Sequence, residues 1–387
     1  MALMTNLLDE VARLAHAEGD SDDPENHARL LQSIHKLQLA AEKPIETAKR
    51  IMYQPPTNIA VRFAVELGLL DVLVADGRDG PMSATLLAES TQSEEILFGL
   101  CDVLRPWAYA MKMALADTPP TKLPKNSPRK DSRMAYDTVI PATAGLLGYL
   151  TAFGRRVPTH AEETPFAYVE KATMFQWMEK RPEQRRYFDS FMAARRREAP
   201  RWFEIWPVSD TLKSGLRSGP DDVLLVDIGA SHGHDLMRFK ERYGSFPGRL
   251  VLQDLPETTR TIHNLAEGIE AMAYDFFTPQ PVAGARIYYF GTVCHDFDDD
   301  SCVIFLTGTA DAMERGYSTL LIYDYVVPEV GASVRAAAMD LQMMVLVGGM
   351  ERTEIQWRAI LRASGLDLVR VWSLPGASES VIEAQLL

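Results

Sequence analysis

From residue 223 onward the chain alternates short β-rich runs with stretches of helical spacing, and this alternation limits the fold more than any other feature. The runs lie at 223–228, 250–253, 286–290, 319–325, 366–371 and 381–387 and are rich in Val, Ile, Leu, Tyr and Phe. Strands that alternate with helices predict an α/β architecture, a parallel sheet covered on both faces. The last two runs are separated by Ser373-Leu374-Pro375-Gly376-Ala377-Ser378-Glu379, a turn-forming segment, and are expected to form a terminal hairpin.

The first half follows other rules. At 387 residues the chain exceeds the usual size of one domain, so two domains are expected. Residues 1–50 have helical spacing interrupted by Gly19-Asp20-Ser21-Asp22-Asp23-Pro24, which separates a short helix from a longer one through Leu30, Ile34, Leu37 and Ala41. Such an arm fits a packing or dimer element. In 57–104, Ile59, Phe63, Leu67 and Leu70 share one face, Ser83 is placed to cap a helix, and Thr91 with Glu94 has capping-box spacing. A helix-turn-helix follows, but Gln92, Ser93, Glu94 and Glu95 offer DNA no basic cluster. A formal charge of -13 argues the same way, because a nucleic-acid partner needs a basic face. The expectation is an all-α, winged-helix-like dimerisation domain and no nucleic-acid partner.

In 105–135 periodicity lapses, and Pro106, Pro119, Pro120, Pro124 and Pro128 mix with Lys122, Lys125, Arg129, Lys130 and Arg133 in a basic loop or lid. Residues 136–205 return to helix, with a Phe-, Met- and Arg-rich stretch at 185–197. The expected divisions are 1–135, a helical connector lining the pocket at 136–205, and a catalytic domain at 206–387. The three cysteines, Cys101, Cys294 and Cys302, have no metal-ligand spacing and fit a reducing compartment. No apolar run reaches the ~18 residues of a membrane span. Asp9 and Glu10 occupy the place of a leader's apolar stretch. A cytoplasmic protein with no membrane partner is expected.

The chemistry gathers in the second half. Val226-Asp227-Ile228-Gly229-Ala230-Ser231-His232-Gly233-His234 follows a buried strand and opens a helix, and its glycines permit a close ligand approach at a strand's carboxyl end. The next strand ends at Gln253-Asp254-Leu255-Pro256, where a carboxylate can accept from both hydroxyls of a ribose. Asp275-Phe276-Phe277 supplies an acid and an aromatic for an adenine. In that order these features point to a nucleoside. His232 and His234 lack a third ligand, so no metal is expected.

Together with Cys294-His295-Asp296-Phe297 and Gly348-Gly349-Met350-Glu351-Arg352-Thr353, these motifs resemble the class I S-adenosylmethionine-dependent O-methyltransferases. The resemblance is greatest to the caffeate-type group of plants and fungal secondary metabolism, and it covers roughly residues 45–387. It implies a Rossmann-like domain that binds S-adenosyl-L-methionine (SAM), preceded by a helical domain that forms a homodimer. It further implies that Gly229 and Gly233 lie near the methionine end, Asp254 on the ribose, and Asp275 and Phe276 by the adenine, with Asp227 and Leu255 also among the cofactor-binding residues. His295 matches the family's base, with Asp296 beside it and Asp324 and Glu351 where acids flank it. A histidine of ordinary pKa about 6.5 can take a phenol's proton during attack, and a carboxylate on its other nitrogen fixes the tautomer. The substrate implied is a hydroxylated aromatic or polyketide-type small molecule. Three departures stand out: Gly-Ala-Ser-His-Gly replaces a run of glycines, Asp324 is shorter than the usual glutamate, and 105–135 is rich in proline and lysine where the family continues its winged-helix domain with a β-wing. A branch of this family resembling the leporin pericyclase keeps SAM as an unconsumed cation and catalyses dehydration and ring formation. For that alternative the polar groups are Arg133, Arg197, His295 and Asp296.

Overall fold

The structure, a computed structural model, describes residues 2–20, 23–42, 135–153, 157–158, 160–212, 215–330, 332, 334–375 and 377–387. The helix-turn-helix at 57–104 and the basic loop, with Arg133, lie outside the described residues. Arg197 falls on the helix Pro182–Glu198, but its side chain also lies outside them. By backbone proximity the chain forms two compact units, residues 1–138 with 186–191, and residues 139–185 with 192–387.

In the first unit the acidic break ends one helix, Ala2–Asp20, and starts another, Pro24–Ala41. Asp23 caps the second by accepting from the Glu25 N–H at 3.1 Å, and Pro24 opens its first turn. The two pack as a hairpin around buried Leu14 and Ser33, with Asn26 donating to the Leu14 carbonyl at 3.0 Å. Leu8, Leu31, Ile34 and Leu39 remain exposed.

The second unit carries the sheet. Its strands are β1 (Val223–Ile228), β2 (Arg249–Asp254), β3 (Ile269–Ala273), β4 (Ile287–Gly291) and β5 (Thr319–Asp324). A short pair follows, β6 (Val326–Val327) and β7 (Arg352–Thr353), and then β8 (Leu366–Trp372) and β9 (Ser380–Leu386). The order across the seven-stranded sheet is β3-β2-β1-β4-β5-β9-β8. Strands β1 to β5 pair in parallel, and the expected terminal hairpin is present, β9 running antiparallel to both β5 and β8. β1 is buried along its whole length, as a central strand covered on both faces must be. β3 escaped the sequence reading: Ile-Glu-Ala-Met-Ala has no β-branched run, and pairing with β2 overrides its local preference.

Two apolar layers flank the sheet. On one face Val226, Ile228, Tyr288 and Phe290 pack with Phe305 and Trp357 from the helices Asp299–Ala312 and Glu354–Ala363. On the other, Leu225, Leu252 and Tyr289 meet Trp202, Trp206 and Phe239. Trp202 stacks on Phe239 at 5.2 Å between centroids. Strand order reverses between β1 and β4, so their carboxyl ends diverge into a crevice, the place where open sheets of this kind bind ligands.

Tyr288, inside the first of these layers, has its hydroxyl paired. Tyr288 donates to the Val282 carbonyl at 2.7 Å and accepts from the Ala285 N–H at 3.2 Å, and burial pushes its pKa up to about 12. Tyr288→Phe keeps the ring and strands a buried N–H, at a cost of about 1–3 kcal/mol. The variant is expected to melt several degrees below the parent in scanning calorimetry, and an unchanged Tm would contradict this account of the pairing.

Candidate active site

The turn after β1 has an unusual backbone. Gly229, Ser231 and Gly233 all take positive φ, at 71°, 52° and 72°. A Cβ on Gly229 would lie 2.9 Å from Val293 Cγ2, and one on Gly233 would lie 2.5 Å from Leu252 Cδ1. The N–H groups of Gly229 and Ala230 both donate to the Gln253 carbonyl, at 2.9 and 3.1 Å, which fastens the turn to the end of β2. Ser231 therefore performs a glycine's task with a side chain, a conformation costing about 1–2 kcal/mol in a non-glycine residue. Its N–H donates to Asp254 Oδ2 at 2.7 Å, and its hydroxyl lies 3.2 Å from His232 Nδ1.

Asp254 also accepts from the Leu255 N–H at 2.8 Å, through Oδ1. Each carboxylate oxygen thus keeps a lone pair beside the turn, the acceptor set that a ribose diol needs. Asp275 is exposed and accepts from the Phe277 N–H at 3.0 Å. Phe276 is half-buried, edge-on to Phe297 at 5.6 Å, and within 3.9 Å of a Cβ built on Gly229. The turn, Asp254 and Phe276 are thus brought together. Asp227 is buried, at 3% exposure, and Leu255 is exposed at the start of the turn Pro256–Thr259. These residues fit a nucleoside cofactor on the chemistry of the donor set: free acceptors for a diol, an aromatic beside them, and a backbone with no side chain at the close-approach positions.

The second cluster lies one strand over. Beyond β4 the segment Cys294–Asp296 forms a single tight turn, which buries His295 to 3% exposure. Its Nδ1 lies 2.9 Å from Glu351 Oε1 and 3.7 Å from Asp324 Oδ1, and its Nε2 lies 3.7 Å from Asp296 Oδ1. Glu351 therefore makes the hydrogen bond. Asp324, fully buried, is within ion-pair range only, and neither of its carboxylate oxygens has a hydrogen-bond partner. The shorter side chain stops short of the ring.

Glu351 arrives by a close approach that sequence reading did not reveal. A Cβ on Gly349 would fall 2.0 Å from the His295 carbonyl oxygen, so the backbone of this loop rests directly on the turn. The Met350 N–H donates to that same carbonyl at 3.0 Å, and the Glu351 N–H donates to Asp340 at 2.9 Å. The glycine pair was visible as a motif, but what it touches was not. A second unforeseen feature is a narrow cleft of about 20 Å³ lined by Arg201, Asp235, Thr292, Tyr323 and Glu379 among others. Thr292 there has φ 54°, a strained conformation for a β-branched residue, and its N–H donates to the Tyr323 carbonyl at 2.8 Å.

A mostly parallel sheet, with a glycine turn after β1 and acids at the ends of β2 and β3, fits the α/β methyltransferase class. Residues 220–367 match the family model for the O-methyltransferase domain. The methyltransferase cfoC of Aspergillus candidus is 31% identical over 99% of this chain and 97% of its own length. The O-methyltransferase mpaG of Penicillium brevicompactum is 32% identical over 97% of this chain and 98% of its own. In fold, the solved complex of LepI with SAM fits 99% of this chain and 100% of its own, with a TM-score of 0.83 and 24% identity. The chain belongs to the O-methyltransferase family, and these relatives in sequence are fungal.

Charge in the cluster depends on pH. Burial alone would lower the pKa of His295, but Asp324, Asp296 and the Glu351 hydrogen bond raise it from 6.5 to about 9. Burial, joined by the charges of Glu351 and Asp296 and opposed by His295 and Arg352, raises Asp324 from 3.8 to about 7. Both groups hold protons more tightly when folded. The stability from His295 is full below 6.5 and is lost as pH rises through about 9, and that from Asp324 is full below 3.8 and is lost through about 7. The Tm is expected to fall as pH rises between about 7 and 9. Asp324→Asn is expected to flatten that slope, since it removes a charge that holds the His295 pKa up. A parent-like slope in D324N, followed by thermal unfolding across this range, would refute the assignment.

Proposed function

We propose that the protein transfers a methyl group to a hydroxyl of an aromatic or polyketide-type small molecule, with His295 as general base. The observation that carries this reading is the His295–Glu351 hydrogen bond, at 2.9 Å in a buried site. Nδ1–H is held by Glu351, so the proton that His295 gives up and takes back is the one on Nε2, and once the ring is neutral the Nε2 lone pair faces the substrate side. Nε2 has Asp296 at 3.7 Å, beyond hydrogen-bond length, so a substrate hydroxyl can take that place. Glu351 stabilises the imidazolium as it forms. Asp324 and Asp296 add negative charge around the ring, which favours a cationic neighbour and the protonated product state of the base.

SAM is the cofactor of this family, and when bound it supplies an activated methyl group for in-line displacement. Gly229 and Gly233 would accommodate its methionine end, Asp254 its ribose, and Asp275 and Phe276 its adenine, with Asp227 and Leu255 as further cofactor-binding residues. The remaining organisation belongs to the same proposal. Residues 1–135 form a helical, winged-helix-like dimerisation domain, 136–205 a connector that lines the pocket, and 206–387 the cofactor-binding domain. The exposed Leu8, Leu31, Ile34 and Leu39 support an arm that packs on a second copy in a homodimer. Action on a small molecule in the cytoplasm belongs to the same proposal; among the described residues no helix is long and apolar enough to cross a membrane.

A second reading keeps SAM intact and uses the pocket for pericyclic ring formation. It draws on the full-length likeness in fold to LepI and to a structure described as a pericyclic reaction enzyme, with a TM-score of 0.83. Arg133, Arg197, His295 and Asp296 would then stabilise charge on a carbonyl. The pairing of His295 with Glu351 favours methyl transfer, because fixing a tautomer serves a base more than an electrostatic donor.

One experiment separates the readings. The protein is incubated with SAM and a panel of hydroxylated aromatic and polyketide-type compounds, and both cofactor and product are followed by mass spectrometry. Methyl transfer predicts S-adenosylhomocysteine (SAH) in equal amount to a product heavier by one methylene, with the rate lowered at least ~10²-fold in His295→Ala. Product formation without SAH would overturn it, and so would unimpaired turnover in H295A.

A further inference from the structure

Buried beside the cluster is a charge with no part in the chemistry above. Arg352 is fully buried on the short strand β7, the residue after Glu351. Its guanidinium donates to the Cys294 carbonyl at 3.0 Å through Nη1, to the Phe297 carbonyl at 2.8 Å through Nη2, and to Asp299 Oδ1 at 2.8 Å through Nε. The two carbonyls lie on either side of His295, and Asp299 begins the helix Asp299–Ala312. The guanidinium also lies over the Trp357 ring at 5.4 Å, and Trp357 Nε1–H donates to the Tyr325 carbonyl at 3.1 Å, one residue beyond Asp324. β7 pairs with β6, Arg352 opposite Val326, so the stretches of chain just after Asp324 and just after Glu351 are tied together at the same place.

We propose that Arg352 is a positioning residue that holds the turn bearing His295 in register with Glu351, so that Nδ1 meets Oε1. Glu351 grips the ring while its neighbour grips the backbone that presents the ring. Stability alone is a weak reason for such a residue, because a buried ion pair is often matched or bettered by an apolar side chain of similar volume. Its value lies in geometry. The planar guanidinium fixes three acceptors at once, whereas an ammonium on a flexible stem cannot reproduce that fork. This inference rests on the reading of His295 as a base oriented by Glu351.

The test requires no substrate. In full-length protein with ¹⁵N-labelled histidine and bound SAH, the His295 Nδ1–H resonance is assigned by its loss in His295→Ala and its shift in Glu351→Gln. Arg352→Met, shown to be folded by parent-like SAH affinity in calorimetry, is expected to lose this resonance or to exchange it with solvent about tenfold faster, the mark of a local opening. Arg352→Lys is expected to fall between the parent and R352M. A side chain that only stabilises the fold would lower Tm and leave the resonance alone. R352M with the parent's chemical shift and exchange rate therefore overturns the proposal. If R352M fails to fold, R352K decides: faster exchange supports the proposal and a parent-like rate overturns it. Failure of the underlying reading is distinct, because the parent would then fail to bind SAH or its resonance would ignore E351Q.

Discussion

One imidazole buried among carboxylates governs the architecture of this half of the chain. An imidazole and acids taken out of water lose hydration that only close partners restore, so their positions must be fixed from several directions. The turn after β4 delivers the ring, β5 ends at Asp324, and the glycine loop before β7 brings Glu351 within 2.9 Å. Gly349 has to be a glycine for this to happen, because any side chain there would strike the backbone that carries His295. The sheet supplies the frame, and these three segments from distant parts of the sequence meet at its carboxyl edge.

The division of labour between the two acids follows from length. Glu351 reaches Nδ1 and forms the bond, while Asp324 stops 3.7 Å away with both oxygens lacking hydrogen bonds. A buried carboxylate in that state resists ionisation, and so Asp324 holds its proton well above the ordinary range. The ring therefore has one strong partner and one weak one. A single strong partner suffices to choose the tautomer, which is what the proposed base requires, and the weaker acid adds to the charge around the ring without competing for the proton on Nδ1.

Much of this was legible in the sequence, and the remainder was hidden for physical reasons. Continuous apolar runs gave away β1, β4 and β5, because strands covered on both faces have little choice of residue. β3 lies at the sheet's edge, with Glu270, Ala271 and Ala273 exposed, and carries no such signature. The glycine turn, Asp254, Phe276 and His295 were readable as motifs in order. Ser231 was readable only as a departure, since the positive φ that makes it costly belongs to the folded backbone. Arg352 and Thr292 were silent, because each acts through residues distant in sequence or through a strained dihedral. The readings at 57–104, the basic loop, Arg133 and the Arg197 side chain concern positions outside the described residues.

The electrostatics of the pocket bear on the choice between transfer and ring closure. Three carboxylates surround one imidazole within 3.7 Å, an excess of negative charge even when the ring is protonated. A fixed sulfonium beside them would offset that excess and, by repelling the imidazolium, release its proton and leave a free base. For pericyclic chemistry the same acids are a handicap, because they oppose negative charge building on a carbonyl and must be neutralised before a cation can help it. A methyl transfer begins with a cation and ends with a neutral cofactor and a protonated base, so with His295 in the proposed role the positive charge would pass to the imidazolium among these acids. That cluster is suited to holding one positive charge before and after the reaction, which makes the arrangement around His295 a better match to transfer than to ring formation.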